Sequence, residues 1–241
     1  MAGHILIGLS GFSYTPWQGE GRFYPPGLKQ ADFLRHYATR FPTVEMDGIW
    51  YRIPSEQAVQ TWLQQTPERF VFAPKANRQI THLHRFKPEA LKHVQRMMDR
   101  LMPLAQAKRL GPVLLQLPPN FSRDDDRLGG FLSGLPRDVR WSIEFRHPSW
   151  NAPEVERILR DFSVACTIAE TDEASSARRD TGPFWYLRLR KSGYDDAALA
   201  EWAAWIRREA DRGKDCYIYF KHEDEGHPWV WADQLHSLLV R

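Results

Sequence analysis

Repetition constrains this chain most. Eight short β-type runs recur along its 241 residues, at 5–11, 43–47, 70–75, 112–117, 140–146, 165–170, 184–190 and 215–221. Most gaps between them carry a 3.6-residue apolar period, the mark of an amphipathic helix. Residues 29–41 align Phe33, Leu34, Tyr37, Ala38 and Phe41 on one face, and 55–65 align Val59, Trp62 and Leu63. Residues 89–105 align Leu91, Val94, Met98 and Leu101, and 153–162 align Val155, Ile158, Leu159 and Phe162. A fifth helix follows the cap residue Asp195, stacks Leu199, Trp202, Ala203 and Ile206, and ends near Gly213. The gap at 171–183 is polar and predicts no full helix. Strand–helix alternation predicts parallel strands joined by crossover helices. Eight such units predict an α/β fold, a single (β/α)8 TIM-type barrel over residues 1–241, irregular after the sixth strand. A doubly wound open sheet is the alternative. The absence of G-x-G-x-x-G or a P-loop after any run argues against it.

Parity within the runs then points to a site. Alternate residues of a barrel strand face the interior and the helix layer. Trp141, Ile143 and Phe145 oppose Ser142, Glu144 and Arg146; Trp185, Leu187 and Leu189 oppose Tyr186, Arg188 and Arg190. Apolar sets belong against the helices, so the polar sets point inward, toward the C-terminal rim where barrel active sites are built. The expected constellation is Glu45, Lys75, Gln116, Glu144, Arg146, Glu170, Arg188 and Lys221. Four cations, three carboxylates and an amide suit an anionic or polyhydroxylated small molecule. The competing reading of the same residues is a structural ion-pair network closing the core.

The loops after these runs add Tyr14, Trp17, Tyr51, His82, His147 and Trp150. His82 and His147 are candidate proton shuttles. The aromatic content, 10 Trp, 8 Tyr and 13 Phe, excludes a disordered chain, and part of it is expected as a stacking wall of Trp17, Trp50, Trp150, Trp229 and Trp231 around the rim. No H-E-x-x-H, G-x-S-x-G or C-x-x-C occurs, and His82-Leu83-His84 alone is a weak metal signal, so neither a metal site nor a cofactor is expected. The net charge of +3 does not favour nucleic acid as partner, although the basic stretch at 78–87 leaves phosphate contacts open. No apolar run approaches membrane-span length, Cys166 and Cys216 read as buried reduced thiols, and a cytoplasmic protein is expected.

With these residues in place, the chain resembles domain-of-unknown-function family 72, the YecE-like proteins. The matching segments, in order, are Ile7-Gly8-Leu9-Ser10-Gly11-Phe12-Ser13-Tyr14 with Trp17, Phe23-Tyr24-Pro25, Phe41-Pro42-Thr43-Val44-Glu45 and Tyr51-Arg52-Ile53-Pro54. Phe72-Ala73-Pro74-Lys75-Ala76 running on to Ile80-Thr81-His82, Gly111-Pro112-Val113-Leu114-Leu115-Gln116-Leu117-Pro118-Pro119, Glu144-Phe145-Arg146-His147-Pro148-Ser149-Trp150 and Tyr186-Leu187-Arg188-Leu189 follow. The resemblance implies a TIM-type barrel and leaves the reaction unassigned. Two segments depart from the family pattern: Asp47-Gly48, where an Asn is often found, and residues 220–226, where an Asn-Asn pair is common.

Three functions fit. The first is a metal-independent acid/base enzyme on a phosphate- or carboxylate-bearing small molecule, with Lys75, Arg146 and Arg188 holding the anion, Glu144 or Glu45 as base and a histidine moving protons. The second is a hydrolase or lyase on carbohydrate or nucleic acid, with Glu45 and Glu144 as a carboxylate pair or with a metal. The third is a non-catalytic ligand-binding barrel.

Overall fold

The computed structural model describes residues 1–221 and 227–240; the family departure at 222–226 lies outside the described residues. Among the described residues there are nine strands and seven α-helices, in alternation except at β6–β8. They are β1 Ile5–Ser10, α1 Phe33–Tyr37, β2 Thr43–Met46, α2 Glu56–Gln65, β3 Val71–Pro74, α3 Ala90–Gln106, β4 Val113–Gln116 and α4 Asp125–Ser133. Then come β5 Trp141–Glu144, α5 Pro153–Asp161, β6 Ala165–Cys166, β7 Ile168–Glu170, β8 Phe184–Leu189, α6 Asp196–Asp211, β9 Asp215–Phe220 and α7 Pro228–Val240. All ladder pairs are parallel, in the orders β3-β2-β1-β9-β8-β7 and β4-β5-β6.

Two seams join these sheets. Between β3 and β4, isolated bridges pair Phe72 with Leu110 and Lys75 with Leu114, and Ala76 N–H donates to the Leu114 carbonyl at 2.8 Å. At the other seam the sixth run breaks at Thr167: β6 pairs with β5, and β7 pairs with β8. The fold is TIM-barrel-like, a six-stranded and a three-stranded parallel sheet with helices on the outside. The irregularity expected after strand six is present, since 171–183 holds no helix.

The helices expected after the first, second, third, fifth and seventh runs are present. The first is short, with one turn at Gln30–Asp32 preceding α1. Pattern reading does not single out α4 or α7. In α4 Gly129 and Gly130, residues that weaken helices, interrupt the run. In α7 buried Trp229, Ala232 and Leu235 form only a narrow stripe.

Strand parity sorts the core into two layers. Ile7, Leu9, Val44, Ile143, Leu187 and Ile218 pack outward against the helices. A smaller inner cluster, Ala73, Leu114, Ala165, Phe184, Tyr186, Tyr217 and Tyr219, fills the barrel. Each buried aromatic contributes on the order of 2–3 kcal/mol. These rings floor the barrel, and the charged side chains stand toward the strand ends.

The expected aromatic wall is largely absent. Trp17 is fully buried among Phe23, Tyr14 and Trp229, and Trp150 is fully buried between Phe121 and Phe145 with its indole N–H on the Phe121 carbonyl at 2.7 Å. Trp229 is buried, and Trp231 packs against Tyr194. Loop position alone does not distinguish a rim aromatic from one folded under the loop; of the five, Trp50 borders the charged cluster, against Lys75. Both cysteines are free and buried, and burial pushes their thiols up, to about 11 for Cys166 and about 12 for Cys216.

Candidate active site

Arg188, on β8, organises the barrel mouth. It is 1% exposed and stands between two equally buried carboxylates, Glu45 of β2 and Glu144 of β5. Its Nε and Nη2 donate to Glu45 Oε2 and Oε1, each at 2.9 Å, and its Nη1 donates to Glu144 Oε2 at 2.6 Å. Such forked charge-assisted contacts are the strong class of hydrogen bond. Glu45 also accepts from the Tyr186 hydroxyl at 2.9 Å and from Ser10 Oγ. Glu144 accepts from Gln116 Nε2 at 2.8 Å and Arg146 Nε at 3.1 Å. The parity rule thus brings Glu45, Gln116, Glu144, Arg146 and Arg188 together from β2, β4, β5 and β8.

These contacts set the protonation states. Burial pushes both glutamates up, but Arg188 outweighs it, holding Glu45 below its ordinary value and, with Arg146, Glu144 at about 2. Burial and the nearby Glu45 charge raise Tyr186 well above its usual range, so it stays protonated and donates. Both carboxylates are therefore ionised and saturated with donors, which makes them weak bases near neutral pH.

Lys75 differs. It follows β3 and is half-buried, with its ammonium 5.3 Å from the centre of the Trp50 ring. Among the described residues no carboxylate comes within 4.0 Å of it. Burial, then the charge of Arg188, push it down to about 8 against the pull of Glu45 and Glu144. His82 stands against the same indole, ring centres 5.0 Å apart. Its Nδ1 accepts from Trp50 Nε1 at 3.4 Å and lies 2.9 Å from Thr81 Oγ1. Because an indole can only donate, the neutral ring carries its proton on Nε2. Burial and the charges of Lys75, Arg146 and Arg85 push His82 down to about 4, so it is neutral at pH 7. The loop that carries it makes one wide π-type turn, Gln79–Leu83, a feature frequent at functional sites. It then passes through two left-handed residues, Arg85 (φ 47°) and Phe86 (φ 63°), the latter held by stacking on Phe131 at 4.1 Å.

The remaining expected residues divide. Lys221 lies at the mouth, 3.7 Å from Asp47 Oδ2, which also accepts from the Tyr14 hydroxyl at 2.5 Å. Gly11 permits this placement: its φ is 87°, and a Cβ there would come within 2.5 Å of the Tyr14 ring. Tyr14 and the 70% exposed Tyr51 line an adjoining groove of about 1060 Å³, which also contains Asp47, Asn77, Arg96 and Arg100 and excludes Lys75, Glu144 and Arg188. His147 caps a turn: its Nδ1 accepts the Ser149 N–H at 3.2 Å, and it makes no hydrogen bond to Glu45, Lys75, Glu144 or Arg188.

Glu170 is a correction. It stands on the helix side, accepting from Trp202 Nε1 at 3.1 Å and pairing with Lys191 at 2.9 Å. Alternation within the sixth run groups it with outward Cys166 and Ile168, while Ala165 faces in and Thr167 Oγ1 meets inward Ser142 Oγ at 2.6 Å. Arg190, left out of the constellation, belongs beside it by the same parity as Tyr186 and Arg188. Among the described residues its guanidinium has no ion pair or hydrogen bond, and burial together with the charge of Arg188 lowers its pKa. Among the described residues no cluster of three or more His, Cys, Asp or Glu could hold a metal ion.

The family profile described as "Protein of unknown function DUF72" matches residues 6–241. The chain belongs to the DUF72 family. Among relatives, the UPF0759 protein YunF of Bacillus subtilis is 24% identical over 98% of this DUF72 chain and 94% of its own length. The UPF0759 protein YecE of Escherichia coli K12 is 33% identical over 72% of this chain and 62% of its own. A crystal structure of a DUF72 protein from Thermotoga maritima superposes with a TM-score of 0.86 at 24% identity, covering 99% of this chain and all of that one. The E. coli 3-keto-D-glucoside 4-epimerase YcjR shares the fold alone, at a TM-score of 0.57 and 14% identity.

Proposed function

We propose that the barrel mouth is the catalytic pocket of an acid/base enzyme acting on a phosphate- or carboxylate-bearing small molecule. The carrying observation is a charge imbalance. Glu45 and Glu144 are taken up by Arg188 and Arg146, which leaves Lys75 and Arg190 without an ion-pair partner among the described residues. Unpaired cations beside a buried network are costly unless an anion completes them. Arg190 and Arg146 are the anion holders in this reading. Lys75 and His82 are the groups that move protons, because burial brings the Lys75 amine down to about 8 and His82 offers a neutral N–H. The glutamates position Arg188 and carry no proton.

This assignment replaces Glu45 or Glu144 as base. It also disfavours a glycosidase pair, which needs one protonated carboxylic acid and room between the carboxyls for a sugar. Here Arg188 fills that space and both groups are ionised. A metal-independent reaction remains part of the proposal.

Calorimetric titration with inorganic phosphate tests the reading. Binding that salt weakens is expected, with Arg190→Gln weakening it by about tenfold, the worth of one charge-assisted contact. Unchanged affinity in Arg190→Gln, or no phosphate binding by the wild type at low salt, would overturn it.

A further inference from the structure

Lys75 carries features that holding an anion does not require. A lysine kept only as a positive charge works best hydrated or paired. This one stands half-buried against an indole, with no carboxylate in contact and an arginine among its neighbours. Those are the conditions that release a nucleophilic amine: partial desolvation and a second cation nearby. Lys75 directly follows β3, at the C-terminal end of a barrel strand, where reacting groups are built in this fold.

We propose that Lys75 condenses through its side-chain amine with the carbonyl of an aldehyde or ketone that also bears a phosphate or carboxylate. The substrate class rests on the reading of the mouth as an anion pocket and deepens it. The step balances without any redox partner. Nζ, as the free amine, attacks the carbonyl carbon and forms the C–N bond. The nitrogen gives up a proton and the carbonyl oxygen takes one up, to give a neutral carbinolamine. That oxygen is protonated again and leaves as water as the nitrogen lone pair closes the C=N bond, which gives an iminium ion. Loss of the remaining N–H proton gives the neutral imine, so amine and carbonyl yield imine and water overall.

The neighbourhood suits each stage. His82 Nε2–H is a neutral donor against the same indole. Glu45 and Glu144 are held ionised, and their negative charge favours the iminium. Arg190 and Arg146 supply the anion contact from the Arg188–Glu144 side. Burial that lowers the amine to about 8 leaves an appreciable free-base fraction near neutral pH.

Reductive trapping decides the matter. The wild-type protein is treated with glycolaldehyde phosphate or, separately, with glycolaldehyde, each with sodium borohydride, and modified lysines are located by peptide mass spectrometry. With the phosphate reagent, Lys75 is expected to be labelled about tenfold or more faster than the other lysines, with a rate that rises through pH 8. Inorganic phosphate should slow that labelling, and Lys75→Arg should abolish it. Preferential labelling of Lys75 by both reagents at equal rates, unaffected by phosphate, would support the imine and overturn the anion pocket. Labelling of Lys75 no faster than that of surface lysines would overturn the imine, and phosphate binding by calorimetry would then judge the pocket on its own.

Discussion

Replacing Arg188 with Met tests the network that underlies every role assigned above. The substitution keeps roughly the buried volume and removes the cation from between Glu45 and Glu144. Glu45 would retain Ser10 and Tyr186, and Glu144 would retain Gln116 and Arg146. Removing one partner from a buried ion pair costs about 3–5 kcal/mol, because the remaining charge stays desolvated. In a chain of this length each kcal/mol shifts the melting temperature by about 2–4 °C, so a fall of about 6–20 °C is expected.

The pH dependence has a sign that simple loss of packing would not produce. In the wild type, Glu144 at about 2 against an ordinary 4.5 contributes about 3 kcal/mol, present above pH 4.5 and lost as pH falls toward 2. Without Arg188, burial acts on the carboxyls with less opposition and raises their pKa values. A raised carboxyl favours the folded state at acid pH and loses that contribution as pH rises. The stability gap between wild type and Arg188→Met, measured by urea denaturation, should therefore be widest near pH 7 and narrow below about pH 4. A gap under about 1 kcal/mol at pH 7, or one equally wide at pH 3, would refute the reasoning.

Two further substitutions separate scaffold from site. Glu170→Ala should lose about 1–3 kcal/mol of stability by stranding the buried Trp202 N–H, while phosphate affinity by calorimetry stays at the wild-type level; weakened binding would return Glu170 to the pocket. His147→Ala should cost about 1 kcal/mol in urea denaturation through loss of the Ser149 cap, again with unchanged phosphate affinity, and a binding defect would count against its placement as a cap.

Period-2 alternation is a local property, which is why so much of the site was legible before any contact was known. A residue flanked by Trp141 and Ile143 on one face and Ser142 on the other has its side chosen by the strand itself. Five strands thereby placed Glu45, Lys75, Gln116, Glu144 and Arg188 inside the barrel. Glu170 shows the limit of reading charge ahead of parity: Ile168, two residues earlier, already marks the outward side. His147 and the tryptophans show another limit. Outside regular structure there is no period, and burial under a loop depends on chain segments distant in sequence.

The amino-acid order by itself determined the strand runs, their parallel direction and most of the charged side chains turned inward, because these follow from short-range periodicity and chain connectivity. Only the tertiary structure decided which charges cancel. Arg188 takes both glutamates, and Lys75 is left beside Trp50 without a carboxylate in contact. The physical reason is that ionisation depends on distance and desolvation between groups 44 and 143 residues apart in the chain, and no local pattern encodes either.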